Sequence, residues 1–259
     1  RLAEALEPMR TGVESAVAQA DWQNAAIYYS NLSELQLSLG HIASAVADAE
    51  CAVDYADRSD DTSWRVAFRT TLADAHHQQG EWEVARRSFA KAETMQAEHQ
   101  PEYPLLYSLW GFRYSELLLA EAERAAWAGS ATGDGSKACP QVAQRAALTL
   151  AWIEPHDFLL DIALDQLTLA RSTLYTDLLH GRLPGQNAQQ HTEAAVAGLR
   201  QAGRQDYLPR GLLTRAWLRH CLNNTDGAQA DLAEAQRIAE RGGMKLHLAD
   251  IALTRARLF

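Results

Sequence analysis

Lysine is nearly absent from this chain. Of 24 basic residues only Lys91, Lys137 and Lys245 are lysine, and the rest are arginine. Arginine's planar fork suits bidentate contacts to carboxylate or phosphate, although a GC-rich coding sequence gives the same bias. A basic surface is lacking as well. The formal net charge is −9, which argues against a general nucleic-acid binder, since neutralising phosphates needs clustered positive charge. Cysteine is scarce. Cys51, Cys139 and Cys221 are odd in number and far apart, fit neither a zinc spacing nor a disulfide framework, and read as reduced thiols. No apolar run approaches the roughly 18 residues that a membrane span needs, and no signal peptide is visible. These absences point to a cytoplasmic protein that neither crosses a membrane nor binds nucleic acid.

What is present is helix-forming sequence. Alanine, leucine, glutamate, glutamine and arginine dominate, with apolar residues three and four apart. The pattern predicts an all-α chain of twelve helices, at about 2–19, 22–39, 41–58, 62–79, 81–99, 103–128, 139–153, 157–180, 186–202, 207–222, 225–241 and 244–259. Gly40 and Gly80 mark tight turns, and Gly203 marks a helix C-terminus. The stretch Arg58–Ser63 (RSDDTS) and Asp157 offer N-caps. The one stretch that reads as a flexible, exposed loop is Gly129–Pro140 (GSATGDGSKACP).

The helices carry an internal repeat. Tyr107, Trp110, Gly111 and Tyr114 follow the pattern aromatic, large apolar, small, aromatic. A glycine amid apolar residues costs a helix about 1 kcal/mol relative to alanine, so Gly111 reads as a point of close packing. In the helix that follows, the matching slots fall on Ala143, Ala147, Leu150 and Pro155. The same template fits Leu32, Ser33, Ala45, Ala49 and Ala52, and then Leu72, Ala73, Trp82, Ala85, Phe89 and Ala92. A fourth unit uses Leu169, Ala170, Ala188 and Ala195, and a fifth uses Ala216, Ala228, Leu232 and Ala235. The fifth register puts Arg215 in a slot that is apolar elsewhere.

On these residues the chain resembles tetratricopeptide repeat proteins. Its units are longer, at 40 and 38 residues from Leu32 to Leu72 to Trp110, against about 34 in the standard repeat. In that respect it is similar to the sensor domains of bacterial signal-transduction (STAND-type) NTPases. The resemblance implies a single right-handed α-solenoid over 1–259, built of five to six antiparallel helix pairs. The units are 22–58, 62–99, 103–155 with loop 129–140 inserted, 157–203 and 207–241, flanked by helices 2–19 and 244–259. A start at Arg1 and an end at Phe259 inside an apolar pattern suggest a piece of a longer polypeptide with further domains.

No phosphate-binding glycine loop, HExxH motif or nucleophile elbow is present in the sequence. Gly133–Ser136 (GDGS) lacks a following lysine, and Glu154–Asp157 (EPHD) is explained by a proline stop and an N-cap. His76 and His77 are adjacent, so they face different sides of a helix. No cofactor, metal or catalytic residue is expected.

A repeat stack offers a surface instead. The first helices of such units line a concave groove, and repeat geometry places Glu34, Asp74, Phe112, Arg171 and Trp217 on it. His77, Glu116, Tyr175, His220 and Arg210 follow from neighbouring positions. The groove expected here is acidic toward its N-terminal end and aromatic with arginines toward its C-terminal end. It suits an extended peptide whose carboxylate meets Arg171 and Arg210. The competing expectation pairs those arginines internally with Asp161, Asp165 or Asp206, and uses the aromatics as core. Ser30 and Glu34 stand where the carboxylate clamp of chaperone-binding repeats would begin, which argues against a co-chaperone.

The expected function is non-catalytic: a protein- or peptide-interaction or ligand-sensing domain of a larger bacterial signalling or defence protein. The alternatives are a free-standing scaffold and, more remotely, a helical enzyme. Leu246, Ile251, Leu253 and Leu258 exceed what one neighbouring helix can cover. The intact protein is therefore expected to pack another element on the C-terminal helix, and the isolated chain to form a homodimer through it.

Overall fold

A computed structural model describes residues 2–129, 135–156 and 158–259. Among the described residues the structure is all-helical, with no strand and with twelve α-helices. They form two compact units, Arg1–Leu106 with Arg241–Leu246, and Tyr107–Glu240 with His247–Phe259.

The first unit opens with a 3-10 turn at Leu2–Ala5 and continues through α1 (Leu6–Ala18), α2 (Trp22–Ser38), α3 (Ile42–Arg58), α4 (Thr62–Gln79) and α5 (Trp82–His99). Each helix packs on the next, and α2 also packs on α4. The breaks have local causes. The Asp21 carboxylate accepts the Asn24 N–H at 3.1 Å, and Asp61 accepts that of Trp64 at 3.1 Å. Each satisfies a donor that a helix start leaves free. Gly80 ends α4 with φ of +90°, a conformation that costs glycine little. Alanine lines the seams: Ala45, Ala49, Ala52, Ala73, Ala85 and Ala92 have no exposed surface. Such small residues let neighbouring helices lie close, while Leu32 and Phe89 fill the space between them.

The second unit contains α6 (Ser108–Trp127), α7 (Gly135–Ile153), α8 (Leu159–Leu179), α9 (Gln186–Gln201), α10 (Leu208–Cys221), most of α11 (Thr225–Gly242) and most of α12 (Lys245–Leu258). Here α6 packs on α7 and α8, α8 on α7, α9 and α10, and α9 on α10. Ala170, Ala188, Ala195, Ala216, Ala228 and Ala235 are again fully buried. A Cβ added to Gly198 would lie 2.8 Å from that of Ala163, so α9 approaches α8 more closely than alanine permits.

Three sequence expectations are corrected. Helix α6 starts at Ser108 rather than at 103. Pro104 disfavours helical geometry in the residue before it, and side chains of α5 hold the preceding segment: Gln96 donates to the Tyr103 carbonyl, and the Leu106 N–H donates to Glu93. Helix α7 starts at Gly135 and takes in residues 135–140 of the expected loop, with Cys139 fully buried. Residues 130–134 of that loop lie outside the described residues, as does Asp157. The register of α7 is also one residue earlier than the template gave. Val142, Ala146, Thr149 and Ile153 are buried, whereas Ala147 is exposed. The substitution of Thr149 for an apolar residue at an inward position hid that stripe.

Arg215, out of place in the sequence template, is in fact inside. Its guanidinium makes a bidentate contact to Asp231 at 2.8 and 3.0 Å and a further bond to Glu193 at 2.8 Å. A buried arginine is tolerated because its charge and donors are met.

Candidate functional site

Three of the expected groove residues belong to the first unit. Ser30 of α2 and Thr71 of α4 meet hydroxyl to hydroxyl at 3.1 Å. One turn further along the two helices stand Glu34, half-buried, and Asp74, buried, which accepts a bond from Gln78. His77, half-buried, follows Asp74 by three residues on α4.

The other seven belong to the second unit, and six of them converge. Glu116 of α6 is the centre. Its Oε1 accepts from Arg171 of α8 at 2.6 Å, and its Oε2 accepts from Arg210 of α10. Arg171 also donates to the Thr214 hydroxyl at 3.1 Å. Both guanidiniums lie near the Phe112 ring, with Cζ at 5.8 and 5.9 Å from its centre. That is within reach of a cation–π contact. Burial disfavours the charged form of Glu116, but Arg210 first and then Arg171 outweigh it, and the carboxyl falls to about 2. Further along the same face, Tyr175 of α8 tilts against Trp217 of α10 at 5.4 Å, and Trp217 stacks on Trp127 of α6 at 3.5 Å. His220, three residues after Trp217 on α10, has its ring edge-on to Phe259 at 5.3 Å.

The two arginines are therefore paired inside the protein, though not with the aspartates that the sequence suggested. Asp206 is engaged by Arg204 at 2.7 Å. Asp165 accepts the Thr149 hydroxyl at 3.0 Å, and burial pushes its carboxyl up to about 7. Glu116 is the partner because it lies one turn after Phe112 on α6, on the face that meets α8 and α10. Phe112, Tyr175 and Trp217 are buried to 1, 3 and 6% exposure, so these aromatics fill the wall rather than standing open to a ligand.

Sequence reasoning missed the residues that complete this wall. Glu123, half-buried, lies one turn before Trp127 on α6. On α12, His247 is buried and bonds through Nε2 to the Asp206 carbonyl at 2.9 Å. Burial, followed by the charge of Arg210, pushes its imidazole down to about 4, so it is neutral. Its Nε2 then carries the proton, and its Nδ1 is left without a partner. Asp250, exposed, follows one turn later, and Arg257 lays its guanidinium 4.9 Å over the Trp127 ring. Continuing the spacing of Phe112 and Glu116 along α6 would have found Glu123. Asp250 had no such signal, because α12 carries no repeat register.

Ile251 and Leu258 of α12 are buried within the chain itself. Leu253 and Phe259 are left about half exposed, a smaller apolar surface than the sequence suggested. Among the described residues, no helix is long and apolar enough to cross a membrane, and no cluster of His, Cys, Asp and Glu is placed to hold a metal ion.

No protein-family model matches this chain. Comparison with curated proteins likewise gives no match. Among solved structures, the chain is similar to the crystal structure of BtubC (BKLC) from P. vanneervenii, with a TM-score of 0.55 over 93% of this chain and 92% of that one. At 15% identity the likeness is one of fold.

Proposed function

We propose that this chain is a non-catalytic interaction module, built as a right-handed α-solenoid of tetratricopeptide-like helix pairs, that binds a protein or peptide through the face formed by α6, α8, α10 and α12. In this reading it belongs to a larger bacterial signalling or defence protein and works in the cytoplasm, with its output carried by further domains. The observation that carries the proposal is the convergence of Glu116, Arg171 and Arg210 from three alternate helices onto one wall, backed by stacked aromatics. A wall assembled this way is rigid. Its charges are held by partners on other helices, so a ligand meets a preorganised surface and little ordering cost remains for binding. The zero-exposure alanines at template positions in each of the two units support the repeat reading. The fold likeness to BtubC is compatible with it and adds no functional content.

Selection of a random dodecapeptide library on the full chain, followed by hydrogen-exchange mapping of a selected peptide, tests the proposal. The expected result is saturable binding with new protection in α6, α8, α10 and α12. Protection confined to outer helix faces, or no enrichment above a control protein, would overturn it.

A further inference from the structure

The last turn of α12 sits on the aromatic end of this wall. The Arg257 guanidinium lies 4.9 Å over the Trp127 ring, and Phe259 meets the His220 ring edge-on at 5.3 Å. Trp127 closes α6, and His220 follows Trp217 by one turn on α10. Trp127 stacks on Trp217 at 3.5 Å. One turn of helix therefore covers the place where α6 and α10 meet.

This cover is lightly held. Arg257 is exposed, and Phe259 is 53% exposed. Among the described residues Arg257 makes no ion pair, and a cation–π contact at an exposed site is weak. Arg255 adds one bond to Gln236 at 2.8 Å, also exposed. Leu258 is the one side chain that residues 255–259 bury. Firmer anchors of α12 lie earlier, where His247 bonds to the Asp206 carbonyl and Ile251 is buried. Helix ends open more readily than helix middles, so the last turn can lift while the rest of α12 stays docked.

The covered side chains are also incompletely satisfied. Nε1 of Trp127 and Nδ1 of His220 are buried and have no hydrogen-bond partner, whereas most buried polar atoms have one. An indole N–H can only donate, so Trp127 lacks an acceptor such as a main-chain carbonyl.

Resting on the interaction reading above, we infer that Arg257 and Phe259 hold the place of a ligand. The slot on Trp127, Trp217 and His220 takes an extended peptide that carries an arginine and an aromatic residue two positions apart, and the last turn of α12 competes with it. In an extended chain, residues two apart project to the same side, so both side chains reach the wall together. A carbonyl of such a peptide can accept the Trp127 N–H. Exchanging one guanidinium for another leaves the charge of the wall unchanged. Because the slot is filled in the free protein, apparent affinity is reduced by the fraction of molecules in which it is open.

Three acetylated, amidated pentapeptides test the slot in the full chain: Ala-Arg-Ala-Phe-Ala, Ala-citrulline-Ala-Phe-Ala and Ala-Arg-Ala-Ala-Ala. Citrulline keeps arginine's shape without its charge. Binding is read at the indole N–H resonance of Trp127, identified by its loss in Trp127→Phe. The double variant Arg257→Ala, Phe259→Ala should bind the first peptide about tenfold tighter than the parent does. It should prefer that peptide about fivefold over either control. Arg257→Ala and Phe259→Ala alone should each gain about threefold, and they decide the question if the double variant melts below the assay temperature. A purely structural role for this turn would lower the melting temperature with no gain in affinity. That result, or equal affinity for the three peptides, overturns the slot. If library-selected peptides still protect α6, α8, α10 and α12, the interaction reading stands without it. If the first peptide binds but protects other helices, both fall.

Discussion

Replacing Glu116 by glutamine removes one charge and leaves two guanidiniums facing each other. The side chains of Glu116, Arg171 and Arg210 are 13, 14 and 20% exposed, so water screens them poorly. The carboxyl stands at about 2 against an ordinary 4.5. By linkage, that difference corresponds to about 3 kcal/mol of stability at neutral pH. This agrees with the approximately 3–5 kcal/mol lost when one partner is removed from a buried pair. The sign follows from the depressed value. The contribution is fully present above the unfolded value near 4.5 and disappears as pH falls through 2. In a domain of this size, 1 kcal/mol moves the melting temperature by about 2–4 °C, so Glu116→Gln should melt about 6–12 °C below the parent at pH 7. Arg171→Ala and Arg210→Ala should each cost less, because Glu116 keeps one partner. The double variant should lose more than the sum of the two. Thermal melts by circular dichroism at pH 7 and pH 3 are the assay. A Glu116→Gln melting point within 2 °C of the parent at pH 7 would refute the reasoning, as would strict additivity of the two arginine variants.

Other perturbations probe the frame around the wall. Arg215→Ala should destabilise the protein by about 3–5 kcal/mol in urea unfolding, because Asp231 would keep only Arg219 as a partner in a buried site. A loss below 1 kcal/mol would show that this interior pair is dispensable. Asp165→Asn should stabilise the protein above pH 7. The buried carboxyl stands at about 7, so the native state binds the proton more tightly than the unfolded chain, and stability falls as pH rises from 4 to 7. The gain at pH 8 is on the order of 4 kcal/mol, and a flat difference between variant and parent from pH 5 to pH 8 would contradict it. Gly198→Val should cost about 1–3 kcal/mol through overpacking against Ala163, read as a lower melting temperature; an unchanged one would mean that α8 and α9 can separate freely.

Much of this molecule was legible because its seams are built from small residues at regular spacing. Ala45, Ala49, Ala85 and Ala92 announced buried helix faces directly, and Asp61 and Gly80 announced helix ends through local chemistry. Where a polar side chain took an inward slot, the pattern failed. Thr149 displaced the apparent stripe of α7 by one residue, and Arg215 looked misplaced until Asp231 and Glu193 were seen around it. The candidate site was half legible. Phe112, Glu116, Arg171, Tyr175, Arg210 and Trp217 could be placed on one wall from helix register alone. Which carboxylate would hold the arginines could not, since that depends on how three helices meet. Asp250 lay beyond reach for the same reason, because its position follows from the contact of Arg257 with Trp127.

The claim that the wall of α6, α8, α10 and α12 is the binding surface is tested most directly by photo-crosslinking. Leu253 and Leu183 are both well exposed, at 49 and 71%. Leu253 shares the α12 face of Asp250 and Arg257, while Leu183 sits in the connection between α8 and α9. Benzoylphenylalanine at either position can react with whatever lies near it. With a library-selected peptide bound, the account predicts a strong adduct at position 253 that excess unlabelled peptide removes, and only background at position 183. An adduct at 183 that equals or exceeds the one at 253 would contradict it.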